Sequence, residues 1–201
     1  FSDRETLDII DEGAVQSYIE ANSINVIINC AVYTAVDKAE DEPALAFAVN
    51  RDGPALLAAE CAQRHIPLLH ISTDYVFDGA KPEPYSENDQ VNPLGVYGAS
   101  KFAGEEEVRR LIPHHLILRT AWVYSPYGKN FVKTMLRLAE SRDSVSVVSD
   151  QRGSPTSALD IADGILKICS KVSSGDGDIP FGTYHLTGAG AATWAEFAEF
   201  I

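Results

Sequence analysis

Short apolar runs alternate along this chain with segments of helical periodicity, and this alternation limits the fold more than any other feature. The runs that have the length and content of buried parallel strands are residues 25–31, 67–72 and 115–120. Two weaker strand patterns follow at 145–148 and 183–186. The helical patterns are residues 41–50, 54–64, 97–111, 130–141 and 157–171. Strands that alternate with helices form right-handed βαβ units, so the sequence predicts an α/β fold with a doubly wound parallel sheet.

Charge and composition exclude several classes of function. The 201 residues carry a formal net charge of −13, which argues against binding to nucleic acid or to an anionic membrane because phosphates are repelled. The three cysteines are widely spaced and the five histidines are scattered, so neither a disulfide framework nor a metal site is predicted. Without an apolar run of about 18 residues, the expectation is a cytoplasmic protein.

Tyr97 and Lys101 stand four residues apart at the start of a predicted helix, so they project from one face of it. A phenol has a reference pKa of about 10, and a neighbouring ammonium group is expected to lower the pKa of Tyr97 toward neutral pH. Such a tyrosine can donate a proton to a carbonyl oxygen. The alternative interpretation is a surface tyrosine with a solvated lysine.

Two further segments directly follow predicted strands. Residues 72–79 follow the second strand and open a long connection, 73–96, which is rich in Asp, Pro, Asn and Gly. Residues 29–37 follow the first strand and contain several small side chains. Ligands of open α/β sheets bind at the carboxyl ends of strands, so both segments are candidate site loops. Turn formation and corner packing are the alternatives.

The motifs in these segments occur in a characteristic order. They read Asn-Cys-Ala at 29–31, Ser-Thr-Asp-Tyr-Val-Phe-Asp-Gly at 72–79, Tyr-Gly-x-Ser-Lys-x-x-Gly-Glu at 97–105, Arg-Thr-Ala-Trp-Val-Tyr at 119–124 and Asp-Gln-x-Gly-x-Pro-Thr at 150–156. The chain resembles the extended short-chain dehydrogenase/reductases, and within them the dTDP-4-dehydrorhamnose reductase family. The resemblance runs from about residue 7 to residue 163.

The resemblance implies a role for individual residues. The catalytic Thr, Tyr and Lys of the family correspond to Thr73, Tyr97 and Lys101, and the last two also contact NADPH or NADH. Other positions that correspond to cofactor contacts are Asp8, Ile9, Ala31, Val32, Tyr33, Thr34 and Ile71. Residues that face the sugar correspond to Thr73, Asp74 and Trp122. Trp122 has the alternative interpretation of a core aromatic residue.

One departure from the family concerns the cofactor phosphates. Members carry a Gly-rich turn after their first strand, and this chain has no such motif before the region of resemblance. The expectation is therefore a Rossmann-like domain that lacks its N-terminal start, formed by residues 1–120 with 130–148. Residues 121–129 and 149–201 are expected to form a smaller, truncated substrate-binding part.

The predicted activity is NAD(P)H-dependent reduction of the C4 keto group of a dTDP-linked 6-deoxy-keto-sugar, for polysaccharide biosynthesis. The expected partners are the nucleotide-sugar substrate and a second copy of the chain. One alternative is a non-catalytic regulatory subunit similar to the β subunit of methionine adenosyltransferase, and another is a nucleotide-sugar epimerase. His70 is interpreted as a core histidine, and residues 105–107, Glu-Glu-Glu, as a solvated helix face.

Overall fold

The computed structural model describes residues 2–174 and 179–201. Its helices are α1 (Glu12–Ala21), α2 (Val36–Ala39), α3 (Pro43–Phe47), α4 (Gly53–Arg64), α5 (Val96–Leu111), α6 (Phe131–Ala139), α7 (Ala158–Ser174) and α8 (Trp194–Glu199). Its strands are β1 (Ile27–Asn29), β2 (Leu68–Thr73), β3 (His115–Thr120), β4 (Val123–Tyr124), β5 (Arg152–Gly153), β6 (Thr156–Ser157), β7 (Gly182–His185) and β8 (Ala192–Thr193). None of the described helices is long and apolar enough to cross a membrane.

The main sheet has the strand order β1-β2-β3-β7. β1 pairs in parallel with β2, and β3 pairs in parallel with β7. With helices between these strands, the predicted Rossmann-like α/β fold is confirmed. The prediction that 25–31 is a strand buried on both faces is wrong in detail. β1 has three residues, and Ile28 is 39% exposed because β1 lies at an edge of this sheet.

The chain divides into two compact units. The first unit comprises 1–119 and 171–185, and the second comprises 120–170 and 186–201. This division differs from the expected one in two segments. Residues 130–148 belong to the second unit, and 171–185 belong to the first because β7 pairs with β3.

The core of the first unit lies between α1, α4, α5 and the sheet. It contains fully buried Val15 of α1, Ala58 and Cys61 of α4, Val108 of α5 and Ile117 of β3. Burial of side chains such as Val15, Val108 and Ile117 contributes roughly 1.5–3 kcal/mol each, so this cluster holds the helices against β1 to β3. The three cysteines are free, with Cys61 buried in this core and Cys30 exposed.

The chain from Pro43 to Arg64 is one continuous helical segment rather than the two separate helices predicted. Residues Ala48–Asp52 form a π-helical turn between α3 and α4. Pro54 falls in the first turn of α4, as predicted. The expected break before Pro54 is absent because the wider π turn accommodates the proline without ending the helix.

The structure also tests the strand that was predicted within the second unit. The strand predicted at 145–148 is wrong: the segment has no ladder partner, and only the Val148 carbonyl accepts a backbone hydrogen bond, from Ala195 at 3.1 Å. Residues 173 and 174 end α7, and residues 175–178 lie outside the described part of the chain.

Candidate active site

Thr73 and Tyr97 come from two neighbouring elements of the first unit. Thr73 is the last residue of β2 and is buried, and Tyr97 is the second residue of α5. The Thr73 hydroxyl donates to Asp74 Oδ1 at 3.1 Å and accepts from the Tyr75 amide at 3.2 Å. The Tyr97 ring lies edge-on to the Tyr75 ring, with centroids 5.4 Å apart. The hydroxyls predicted to bind a substrate carbonyl are therefore together at the carboxyl end of a central strand.

A glycine permits this close approach. A Cβ on Gly98 would lie 2.2 Å from the Tyr75 carbonyl oxygen, a distance that no side chain tolerates. The first turn of α5 therefore packs directly on the backbone that follows Thr73. The Gly in Tyr-Gly-x-Ser-Lys has a steric function that the motif alone did not reveal.

Glu40 holds the N-terminus of α5. Its Oε1 accepts a hydrogen bond from the Val96 amide at 2.7 Å. A carboxylate at a helix N-terminus satisfies a free N–H group and interacts favourably with the helix dipole. No local pattern in the sequence points to Glu40, because it is 56 positions from its partner.

Lys101 is completely enclosed. Its side chain is 1% exposed, and Nζ donates to the Ile71 carbonyl oxygen at 2.7 Å and lies 3.3 Å from His70 Nε2. Burial lowers the pKa of Lys101 to about 8, although the charges of Glu105 and Cys30 oppose the shift. Lys101 is therefore a rigidly held amine rather than the solvated lysine of the alternative interpretation.

The expected lowering of the Tyr97 pKa is wrong for this protein without ligands. Burial raises the pKa of Tyr97 to about 12, a hydrogen bond with Thr73 opposes the rise, and the charge of Asp74 adds to it. The hydrogen bonds of Lys101 go to Ile71 and His70. The phenol consequently stays protonated at neutral pH.

Asp74 is half-buried beside these hydroxyls. Burial raises the pKa of its carboxyl group, and the hydrogen bond from Thr73 opposes that shift. Asp74 begins a short 3-10 turn, Asp74–Val76, that directs the long connection away from β2. Its predicted contact with the sugar stays a prediction.

Asn50, which is not among the residues predicted from the sequence, joins the segment after β1 to α5. Its side chain is fully buried, accepts from the Tyr33 amide at 2.8 Å, and donates to the Tyr33 carbonyl at 3.1 Å and to Ser100 Oγ at 3.0 Å. Ser100 in turn donates to the Tyr97 carbonyl at 2.8 Å. The segment at Tyr33 and the helix that carries Tyr97 are thus fixed to each other. An Asn within an apolar helical stretch was the available signal.

The predicted cofactor segment after β1 is open to solvent. Ala31, Val32 and Thr34 are exposed, and Tyr33 is half-buried with its hydroxyl donating to Glu42 at 2.8 Å. Small exposed side chains at a strand end leave the backbone accessible to an extended ligand. This segment therefore leaves room for an extended dinucleotide, and the predicted contact of Lys101 with its ribose hydroxyls stays a prediction.

Asp8 and Ile9 have structural contacts of their own. Asp8 accepts from the Ile10 amide at 3.3 Å, and its carboxylate lies 3.8 Å from Arg4. Ile9 packs against the core cluster and fills the space beside Gly53. Their predicted contact with the adenine stays a prediction.

A buried ion pair holds α5 to β3. Arg119 donates to Glu105 through Nε at 2.9 Å and through a second nitrogen at 2.7 Å, and Arg109 reaches the same carboxylate at 2.6 Å. Glu105 is 0% exposed, so the interpretation of 105–107 as a solvated face is wrong for Glu105. The cause is Arg119, a distant partner that helix periodicity cannot reveal.

Trp122 lies in the second unit, within an aromatic cluster. Its backbone has a φ of 47°, in the left-handed region, and its ring stacks on Trp194 with centroids 3.5 Å apart and an angle of 9° between planes. Gly153 leaves room for the Trp122 indole, since a Cβ there would lie 2.3 Å from it. Packing therefore explains part of the conformation of Trp122.

The described residues contain no group of three or more His, Cys, Asp or Glu side chains that could hold a metal ion. Proton transfer and hydrogen bonding by Thr73, Tyr97 and Lys101 are the chemistry that these side chains can perform.

Comparison with known proteins identifies the relatives of this chain. A family model described as "RmlD substrate binding domain" matches residues 1–201. The dTDP-4-dehydrorhamnose reductase of Sinorhizobium fredii is 50% identical over 198 residues, which cover 98% of this chain and 67% of that protein. The enzyme of the same name from Aggregatibacter actinomycetemcomitans is 46% identical over 199 residues, 99% of this chain and 67% of that protein.

A solved structure agrees with these relatives. The dTDP-4-dehydrorhamnose reductase of Bacillus anthracis, determined in complex with NADP, is 42% identical and superposes with a TM-score of 0.92 over 98% of this chain and 68% of that chain. The chain spans about two thirds of the length of these relatives. The resemblance read from the motifs is confirmed, and the chain belongs to the dTDP-4-dehydrorhamnose reductase family of oxidoreductases.

Proposed function

We propose that this chain carries the catalytic residues of an NAD(P)H-dependent reductase. Its reaction is the reduction of the C4 keto group of a dTDP-linked 6-deoxy-keto-sugar, dTDP-4-dehydrorhamnose, to dTDP-rhamnose for polysaccharide biosynthesis. The observation that carries the proposal is the meeting of Thr73 and Tyr97 at the carboxyl end of β2, with the enclosed Lys101 one turn further along α5. The name shared by relatives up to 50% identical supports it.

Three side chains have separate roles in the reduction of the carbonyl group. NADPH or NADH, when bound, supplies the hydride. Tyr97 donates the proton to the sugar oxygen, and its raised pKa ensures that the phenol carries that proton at neutral pH. Thr73 turns its hydroxyl from Asp74 to the same oxygen and stabilises the developing negative charge. Lys101 binds the ribose hydroxyls and favours the tyrosinate that remains.

The remaining binding residues are assigned by the resemblance and supported by their positions. In the first unit, the cofactor contacts proposed besides Tyr97 and Lys101 are Asp8, Ile9, Ala31, Val32, Tyr33, Thr34 and Ile71. Asp74 and Trp122 are proposed to contact the sugar. Free cysteines fit a reducing compartment, so a cytoplasmic location is part of the proposal, as is a homodimer.

A sugar-dependent oxidation assay tests the proposal directly. The intact protein is mixed with NADPH or NADH and dTDP-4-dehydrorhamnose, and cofactor absorbance is followed. Tyr97→Phe is expected to lower turnover by at least ~10²-fold, because the proton donor is lost, while the circular dichroism spectrum is unchanged. Tyr18→Phe removes the same hydroxyl group from α1 and serves as the matched control.

The outcomes separate the alternatives. Near-normal turnover of Tyr97→Phe removes Tyr97 from the role of proton donor. Cofactor binding without any sugar-dependent oxidation in the native protein supports the regulatory-subunit alternative instead. The relatives named as reductases favour neither that alternative nor the epimerase.

A further inference from the structure

Three side chains from β1, β2 and α5 form a line of hydrogen-bonding atoms. Asn29 of β1 and His70 of β2 are direct partners in the parallel register, and Lys101 approaches from α5. Asn29 Nδ2 lies 3.1 Å from His70 Nδ1, and His70 Nε2 lies 3.3 Å from Lys101 Nζ. The side chains are 3%, 0% and 1% exposed, respectively, so water does not compete for these contacts.

The orientation of the Asn29 amide is fixed by the backbone. Asn29 Oδ1 accepts a hydrogen bond from the Ala31 amide at 3.0 Å. The NH₂ group of Asn29 therefore faces His70, and an amide NH₂ group can only donate. His70 Nδ1 must accept, which means that it carries no proton.

The proton of His70 is consequently on Nε2. Burial, with the charge of Lys101 as a second cause, lowers the pKa of His70 well below its ordinary value, so the ring is neutral. A neutral imidazole bears one proton, and with Nδ1 occupied as an acceptor it lies on Nε2. That N–H group points toward Lys101 Nζ.

An N–H group that points at Nζ distinguishes between the two forms of Lys101. A neutral amine has a lone pair that accepts from Nε2–H, while its own hydrogens donate to the Ile71 carbonyl and to a ligand. An ammonium group has no lone pair, so it can bond to His70 only if the ring proton moves to Nδ1. After that move the Nδ1–H group and the Asn29 NH₂ group face each other as two donors, and the hydrogen bond between them is lost.

We infer that Asn29 and His70 are positioning residues that fix the ring proton on Nε2, hold Lys101 Nζ in place and disfavour its ammonium form in the cofactor-free protein. The inference deepens the proposed function, since it concerns the lysine assigned there to ribose binding. The charged or titratable groups around Lys101 are Glu105 of α5, itself paired with Arg119 and Arg109, Cys30 after β1, and His70. The low pKa of Lys101 agrees in direction with the inference.

Nitrogen NMR of the intact, cofactor-free protein tests the ring proton directly. With ¹⁵N-labelled histidine, the His70 signals, identified by their loss in His70→Gln, are expected to report a proton on Nε2 at a pH above the Lys101 pKa of about 8, where the amine is neutral. A proton on Nδ1 in the native protein overturns the inference without any variant. Because neither sugar nor cofactor is present, the result is independent of the reductase assay.

Asn29→Asp tests the coupling to Lys101. A carboxylate at this position only accepts, so the ring proton should move to Nδ1, and the lone pair of Nε2 should then accept from an ammonium group. The Lys101 pKa, followed by the ¹⁵Nζ signal of labelled lysine, should rise by about 1 or more.

Cys30→Asp is the matched control. It adds a carboxylate at a neighbouring position whose charge reaches Lys101, but it leaves the Asn29 amide intact. The Lys101 pKa should rise there too, with the His70 proton still on Nε2. An Asn29→Asp protein that retains the proton on Nε2 contradicts the inference.

Discussion

The interiors of the two units of this chain are stabilised by different kinds of contact. The interior of the first unit contains a set of buried polar side chains, namely Asn29, Asn50, His70, Ser100, Lys101, Glu105 and Arg119. In the second unit, the prominent contacts are between aromatic rings, with Trp194 stacked on Trp122 and tilted against Phe131. The helices of the second unit are also less buried, and α6 and α8 have no fully buried residue.

This difference indicates how precisely each unit positions its groups. Hydrogen bonds and ion pairs between buried groups tolerate little displacement, because an unpaired buried donor or charge costs free energy. A pair of aromatic rings contributes only about 0.5–1.5 kcal/mol beyond the apolar area that it buries. Substitutions that unpair the polar interior should therefore destabilise the protein more than substitutions within the aromatic cluster.

The largest effect is expected for Arg119→Leu. This change leaves the carboxylate of fully buried Glu105 with only the partly exposed Arg109 as a charged partner, and breaking a buried pair costs up to roughly 3–5 kcal/mol. Denaturant titration measures the loss in the free energy of unfolding. The double variant Glu105→Leu with Arg119→Leu is the control and should lose less than Arg119→Leu alone. An equal or larger loss in the double variant would show that the weakened pairing of the buried Glu105 charge is not the cause.

A smaller effect is expected for Gly104→Ala in α5. The added Cβ would lie 2.1 Å from the Asn50 carbonyl oxygen, so the π-helical turn and α5 must separate, at a cost of about 1–3 kcal/mol. Gly13→Ala is matched to it, because that Cβ meets only Asp11 at 3.6 Å in α1 and should stabilise slightly. Similar unfolding midpoints for both variants would contradict the close contact.

The smallest effect is expected for Trp194→Leu in the second unit. The change retains an apolar side chain but loses the stacking on Trp122, which is worth about 0.5–1.5 kcal/mol. Phe200→Leu, at a side chain that is 90% exposed, should leave the free energy of unfolding unchanged. A loss for Trp194→Leu that exceeds the loss for Arg119→Leu would reverse the comparison between the units.

Local patterns were sufficient to predict much of the first unit. β3 has the predicted bounds, and α5 begins one residue before the predicted start and ends at the predicted residue. Buried strands and amphipathic helices repeat with fixed periods, which explains this success. The strand predicted at 145–148 failed because a short apolar run does not specify a ladder partner.

The candidate site was only partly predictable. Thr73, Tyr97 and Lys101 belong to short motifs, so their positions follow from the sequence. The groups that hold them are distant in the chain: Glu40 caps α5 from 56 residues away, and Asn50 reaches Ser100 across 50 residues. The Tyr97 pKa was misjudged for a related reason, since burial depends on the whole fold.

The π-helical turn at Ala48–Asp52 determines which residues of α4 face the core, because it changes the rotation of α4 relative to α3 about the helix axis. Each residue of an α-helix advances the chain by about 100°, and a π turn accommodates one more residue than an α turn. Deleting one residue from this turn would leave an ordinary helix, with Asn50 rotated away from Tyr33 and Ser100. The helical segment from Pro43 to Arg64 is therefore constrained in its number of residues as well as in their identity, although most of it is regular α-helix.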